Sequence, residues 1–395
     1  MQTNRTTHLA GLDLIRLTAA MFVVFDHFTS SGRNQWVINA IGGGMPSYPA
    51  LSPVTDAGSV GVDIFFVISG LVIAYSANGN SPRRFAESRF FRLMPSVWVA
   101  STISALVLMF ASNVQWRWLL PAYMRSLILM PVGPWVEGSY WTLAVEIVFY
   151  TVIFVILCKN KFGEVDKILG FGGIAVSLLA VARFMLASSY PHFELALVSW
   201  PAKLLLLNNG SEFVFGVFLY LTLFIGMTPF RLGVLALCFV GSCMQISHAS
   251  FAVIHSRNAA GNESIFGSIE MWLPLSLWVA AVLAMILSIR LNAVITNRFR
   301  SMMPAVRQLG LLTYPLYLIH SPLGLLVMQR VYWTAHSPTL ALFAAIIVVL
   351  LAAAGILLAE PAVRTMVRPS VCRGLDVMQG WVFSARLAQP TNRLE

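Results

Sequence analysis

Apolar residues in this chain gather into long blocks separated by short polar, basic segments. Taking blocks of about 17–25 mostly apolar residues as helices that cross a bilayer, ten are expected, at 12–30, 58–78, 94–112, 139–158, 168–188, 211–228, 231–248, 270–290, 309–329 and 339–359. Two shorter apolar stretches, 119–130 and 195–207, are too short to cross. They read as re-entrant or interfacial pieces, with Trp116, Trp118, Trp135 and Trp200 as headgroup anchors. The expected fold is all-α, a polytopic transmembrane helix bundle of about ten spans without an internal repeat.

Charge adds an orientation. With the N-terminus inside, eighteen Lys and Arg fall in inside segments, from Arg5 to Arg393. Six fall outside: Arg33, Arg117, Arg125, Lys203, Arg257 and Arg330. That asymmetry predicts both termini in the cytoplasm. The formal charge of +10 is therefore a topology signal, and no nucleic-acid partner is expected. The 395 residues are 58% hydrophobic and 11% charged, which excludes a soluble protein. The expected organisation is a short cytoplasmic N-terminus (1–11), a membrane domain (12–359) and a cytoplasmic tail (360–395), with no cleavable signal peptide. Cys158, Cys238, Cys243 and Cys372 lack metal-ligand or disulfide spacing, and no metal site is expected.

Chemistry is expected where ionisable side chains sit inside apolar blocks, because such groups are costly in hydrocarbon and mark sites. Leu12–Phe28 carries Asp13, Arg16, Asp26 and His27. Arg16 and His27, eleven residues apart, share a helix face roughly 16 Å from each other along the axis. Asp63 opens the second span and wants a partner, whereas Ser69 and Gly70 suit close helix packing. Arg89 and Arg92, one turn apart in the loop before Pro95, suit either positive-inside anchoring or bidentate phosphate binding. Glu146 lies inside the fourth span with Tyr150 on the same face, and Arg183 is one candidate partner. Tyr314, Tyr317 and His320 form a stripe between two prolines, which suits a cavity wall or an interhelical donor.

These residues resemble the acyltransferase-3 family of integral membrane acyltransferases, over about residues 9–360. The resemblance rests on Leu12-Asp13 followed by Arg16 and His27, Gly-Val-Asp-Ile-Phe-Phe-Val-Ile-Ser-Gly at 61–70, Arg89-x-x-Arg92 leading to Pro95, the Trp141 to Glu146 stretch, and Tyr314-x-x-Tyr317-x-x-His320. The family's usual glycines after Asp13 and Arg16 are here Leu14 and Leu17. The resemblance implies transfer of an acyl group, commonly acetyl from acetyl-CoA, to a sugar of lipopolysaccharide, exopolysaccharide, peptidoglycan or a glycolipid, with His27 as the catalytic residue.

The chain is thus expected to be a multi-pass protein of the inner (plasma) membrane. Its partners would be the bilayer, acyl-CoA and a saccharide or glycolipid acceptor, with acyl-CoA as donor substrate and no bound cofactor. His27, Asp63 and Glu146 are the expected catalytic group, at similar depth in the outer half. Arg16, Arg89 and Arg92 are expected to bind the donor from inside, and Trp141, Tyr150, Tyr314, Tyr317 and His320 to line the acceptor site or cavity. Asp26 or Asp63 would orient His27. The alternative is a transporter or flippase for a glycolipid or small anion, with the same charges lining a path.

Overall fold

The computed structural model describes residues 9–30, 35–112, 114–186, 199–259 and 267–387. Arg5, Arg33, Arg393 and residues 195–198 of the second short stretch lie outside the described residues. The described chain is helical, with no strand among the described residues. The longer helices are α1 (Ala10–Thr29), α2 (Gly61–Ala77), α3 (Pro82–Ala111), α4 (Trp116–Leu127), α5 (Tyr140–Cys158), α6 (Val165–Leu186), α7 (Gly210–Tyr220), α8 (Pro229–Ala259), α9 (Gly267–Arg290), α10 (Met303–Ala335) and α11 (Pro338–Leu387).

Eight helices among the described residues are long and apolar enough to cross a bilayer: α2 with the turns before it, α3, α5, α6, and α8 to α11. The chain is a multi-pass membrane protein. The other two expected spans are helices of a different kind. α1 has 20 residues but carries Asp13, Arg16 and Asp26, and α7 with the π-turn after it runs only from Gly210 to Ile225. Every residue of α7 is buried. Such a helix is shielded by its neighbours and has no lipid-facing stripe to maintain.

Two glycines explain how α7 is seated. A methyl group on Gly216 would lie 2.0 Å from the Val67 carbonyl oxygen of α2, and one on Gly70 would lie 2.1 Å from the Phe213 carbonyl oxygen of α7. The backbones meet there, as small residues allow in membrane bundles. α1 is equally central and packs against α2, α9 and α10. It runs parallel to α10: Gly310 receives the side chain of Asp13, and Gly324 that of Phe28. Leu14, where the family has glycine, is 45% exposed and so obstructs no helix contact.

Several expectations are corrected. The arginines expected in a loop after the second span lie within α3, because Ser81 caps the helix, accepting from the Arg84 N–H, and Pro82 begins it. α3 therefore spans 30 residues, about 45 Å, and its first turns extend beyond a 30 Å hydrocarbon layer. α11 runs on past residue 359 through Glu360, which accepts a hydrogen bond from Ser96 of α3, and Arg368, which pairs with Glu87. Stretch 119–130 forms most of the amphipathic α4, with Trp116 and Trp118 exposed as expected. Trp135, however, is buried, and packs edge-on against Trp200 with ring centroids 5.3 Å apart instead of facing headgroups.

Candidate active site

A cavity of about 300 Å³ opens between α1, α2, α3, α5 and α10. One end of it gathers Asp13 and Arg16 from the first turns of α1, Arg89 and Arg92 from α3, and Arg307 from α10. Asp13, seated against Gly310, accepts a 3.3 Å bond from Arg16 Nη1 and so fixes that guanidinium. The Arg92 guanidinium lies 5.6 Å from the Tyr314 ring, and that of Arg89 5.7 Å from the Tyr150 ring, within cation–π range. Among the described residues no carboxylate pairs with Arg89, Arg92 or Arg307. Four arginines against two carboxylates, Asp13 and Glu146, give this cavity an excess of positive charge.

Glu146 and Tyr150 share one face of α5, as expected. Glu146 Oε1 accepts from Tyr150 OH at 2.7 Å and from Ser69 Oγ at 2.6 Å. Ser69 is thus a hydrogen-bond donor to the site as well as a neighbour of the Gly70 packing point. Arg183 is not the partner of Glu146; it reaches Asn208 at 3.5 Å. Nor does Glu146 join His27 and Asp63: it lines the cavity that holds the arginines. The far end of that cavity is closed by Phe65, Thr142 and Tyr317, with Tyr317 OH 2.8 Å from Thr142 Oγ1 and its ring edge-on to Phe65 at 5.7 Å.

Behind this wall stand His27 and His320, neither of which lines the cavity. His27 Nδ1 lies 2.7 Å from His320 Nε2, and His320 Nδ1 lies 2.9 Å from the Tyr317 carbonyl oxygen. The rings are 18° from parallel with centroids 4.9 Å apart, as for imidazoles meeting edge to edge through their nitrogens. His27 keeps part of its surface accessible, whereas His320 has none. The expected carboxylate partners are elsewhere. Asp26 is hydrogen-bonded with Ser30. Asp63 lines a separate small cavity with Asp56 and Ser250 and faces Glu212 of α7. The reason is helical phase: at 100° per residue Asp63 falls about a third of a turn from the stripe of Val62, Phe65, Phe66, Ser69, Val72 and Ile73 that faces the main cavity.

Tyr314 and Tyr317 line the cavity as expected; Trp141 does not. Its ring packs on Phe66 and under the Lys203 ammonium, 5.0 Å away. Sequence reasoning missed Arg307 and Glu137. Arg307 was legible: the stripe of Tyr317 and Tyr314, continued back through Gly310, reaches it on the same face. Glu137, fully buried between spans, accepts from the Ser321 backbone N–H at 3.1 Å, and no spacing in the sequence announces that.

A profile of the acyltransferase domain family matches residues 9–359. The chain belongs to the acyltransferase-3 family. The chain is 30% identical, over 138 residues, to the regulator of hypoxia-inducible factor 1 of Caenorhabditis elegans. That match takes in 32% of this chain and spans only 26% of the relative's length. No solved structure matches the chain.

Proposed function

We propose that the protein is an inner-membrane O-acyltransferase that takes an acyl group, acetyl as is common in the family, from acyl-CoA on the cytoplasmic side and transfers it to a hydroxyl of a surface saccharide or glycolipid, with His27 as general base. The observation that carries this is the cavity with four arginines at one end and, past the Phe65–Tyr317 wall at the other, a half-buried histidine. Guanidinium forks match phosphate oxygens. At about 300 Å³ the cavity has room for an extended thioester arm but not for a whole nucleotide, which would stay at the arginine-lined mouth. Glu146 keeps Ser69 and Tyr150 in place along the arm's path, a binding and positioning role.

A sugar hydroxyl loses its proton too reluctantly to attack a thioester unaided near neutral pH, and an imidazole is suited to take it. In the proposed step the His27 ring accepts the hydroxyl proton while the oxygen attacks the thioester carbonyl carbon. The carbon–sulfur bond then breaks, and the CoA thiolate leaves with the proton returned by the imidazolium. An ester and free CoA result. Transfer is direct, since the group bonded to His27 is another imidazole and not a serine or cysteine nucleophile.

The test uses the full-length protein in nanodiscs with radiolabelled acetyl-CoA. Cleavage of the thioester is expected, with His27→Ala slowing turnover about 10²–10⁴-fold while the protein inserts normally. A His27→Ala protein that keeps most of its turnover, or a trapped acyl-enzyme, would overturn this mechanism. With the same protein in sealed proteoliposomes, label that crosses the membrane uncleaved would favour transport. Mass spectrometry of surface glycans from a deletion strain identifies the acceptor.

A further inference from the structure

We infer that His320 is the positioning residue of His27: the His27–His320–Tyr317 hydrogen-bond chain holds His27 with its proton on Nδ1 and its lone pair on Nε2. This rests on the assignment of His27 as the base and specifies which atom acts. The order of protons follows from the end of the chain. A carbonyl oxygen only accepts, so His320 Nδ1, 2.9 Å from the Tyr317 carbonyl, carries a hydrogen. In a neutral imidazole the other nitrogen is then a bare acceptor. His320 Nε2 must receive its 2.7 Å bond from His27 Nδ1–H, which leaves Nε2 of His27 as the basic atom.

The surroundings hold His320 in this role. It is fully buried, with the rings of Phe28 and Tyr317 packed at 6.4 and 5.8 Å. Two residues on, Pro322 brings no N–H to the Leu318 carbonyl, which accepts from Tyr140 OH at 3.4 Å instead. The intervening Ser321 N–H is taken by Glu137, and Ser139 Oγ donates to the same Tyr317 carbonyl that His320 uses, at 3.3 Å. The turn of α10 that carries His320 is thus tied to the first residue of α5 and the segment just before it by three side chains. When His27 accepts a proton at Nε2, its Nδ1–H still points at a neutral acceptor. His320 therefore supports the imidazolium in the way a carboxylate does in other base dyads, without placing a second charge in the bundle.

Nitrogen-15 NMR of the full-length protein with ring-labelled histidine reads the tautomer directly. The His27 signals are assigned as those lost in His27→Gln. A protonated Nδ1 and an unprotonated Nε2 are expected for His27 in the unaltered protein; the opposite tautomer overturns the inference whatever the variants do. His320→Leu should lower kcat about 10²-fold or more with the KM for acetyl-CoA within twofold, and scramble the His27 tautomer. His320→Gln, whose amide oxygen reaches near the Nε2 position, should restore the tautomer and bring kcat within about tenfold of the original. Equal kcat values for His320→Leu and the unaltered protein would also overturn it. Retained turnover in His27→Ala is a different result, which removes the base assignment itself.

Discussion

Replacing Gly216 by alanine puts a methyl group 2.0 Å from the Val67 carbonyl oxygen and 2.8 Å from the Leu71 amide nitrogen. Both are backbone atoms of α2, so no side chain can swing aside. Ordinary contact begins near 3.4 Å, and one helix must therefore shift by about 1.4 Å relative to the other. Overpacking of this kind costs about 1–3 kcal/mol. The shift also reaches the site, because Ser69 on the displaced helix holds Glu146 through a 2.6 Å bond that such a movement takes out of range. Misplacement by about 1 Å can cost 10²-fold in rate. Gly216→Ala is expected to melt at lower temperature in detergent, followed by tryptophan fluorescence, and to lose about 10²-fold in acetyl-CoA turnover. Gly172→Ala on α6 is the control: a methyl there meets nothing within 4 Å, and alanine is the better helix former by about 1 kcal/mol. If Gly216→Ala melted and turned over like Gly172→Ala, the close approach of α2 and α7 would not be what seats the wall of the cavity.

Two further outcomes follow from the cavity. Arg307→Ala should raise the KM for acetyl-CoA about tenfold or more, the worth of one charge-assisted hydrogen bond at about 1.5–3 kcal/mol, and leave kcat near its original value; an unchanged KM would return Arg307 to membrane anchoring. Asp63→Asn should keep turnover within twofold, because Asp63 lies off the cavity and faces Glu212; a loss of about 10²-fold in a folded protein would restore Asp63 to the reaction.

The helices were legible because apolar blocks have a length set by the bilayer, and each of the ten expected blocks overlaps a helix. Their ends were not, since hydropathy stops at the membrane surface while backbone hydrogen bonding does not: α3 begins at its Ser81 cap, well before the apolar run. Arg16, Arg89, Arg92, Glu146, Tyr150, Tyr314 and Tyr317 were each identified from charge or stripe, and one cavity collects them. What failed was pairing between helices. Depth along the axis grouped His27 with Asp63 and Glu146, but contact also depends on rotation about the axis, and the phase of α2 turns Asp63 away. The bond between His27 and His320 joins residues 293 apart in the chain, and neither segment alone specifies it.

The parallel contact of α1 and α10 is pinned at both ends, Asp13 against Gly310 and Phe28 against Gly324. The rise from Arg16 to His27, both on α1, is roughly 16 Å, and because the two helices cannot slide, Arg307 and His320 of α10 keep their levels beside them. Under the proposed chemistry that fixed interval selects donors by length. A thioester whose charged anchor lies closer to its carbonyl carbon either grips the arginines or reaches the base, not both. A longer acyl chain leaves that interval untouched and extends beyond His27, so the limit on chain length is set on the acceptor side.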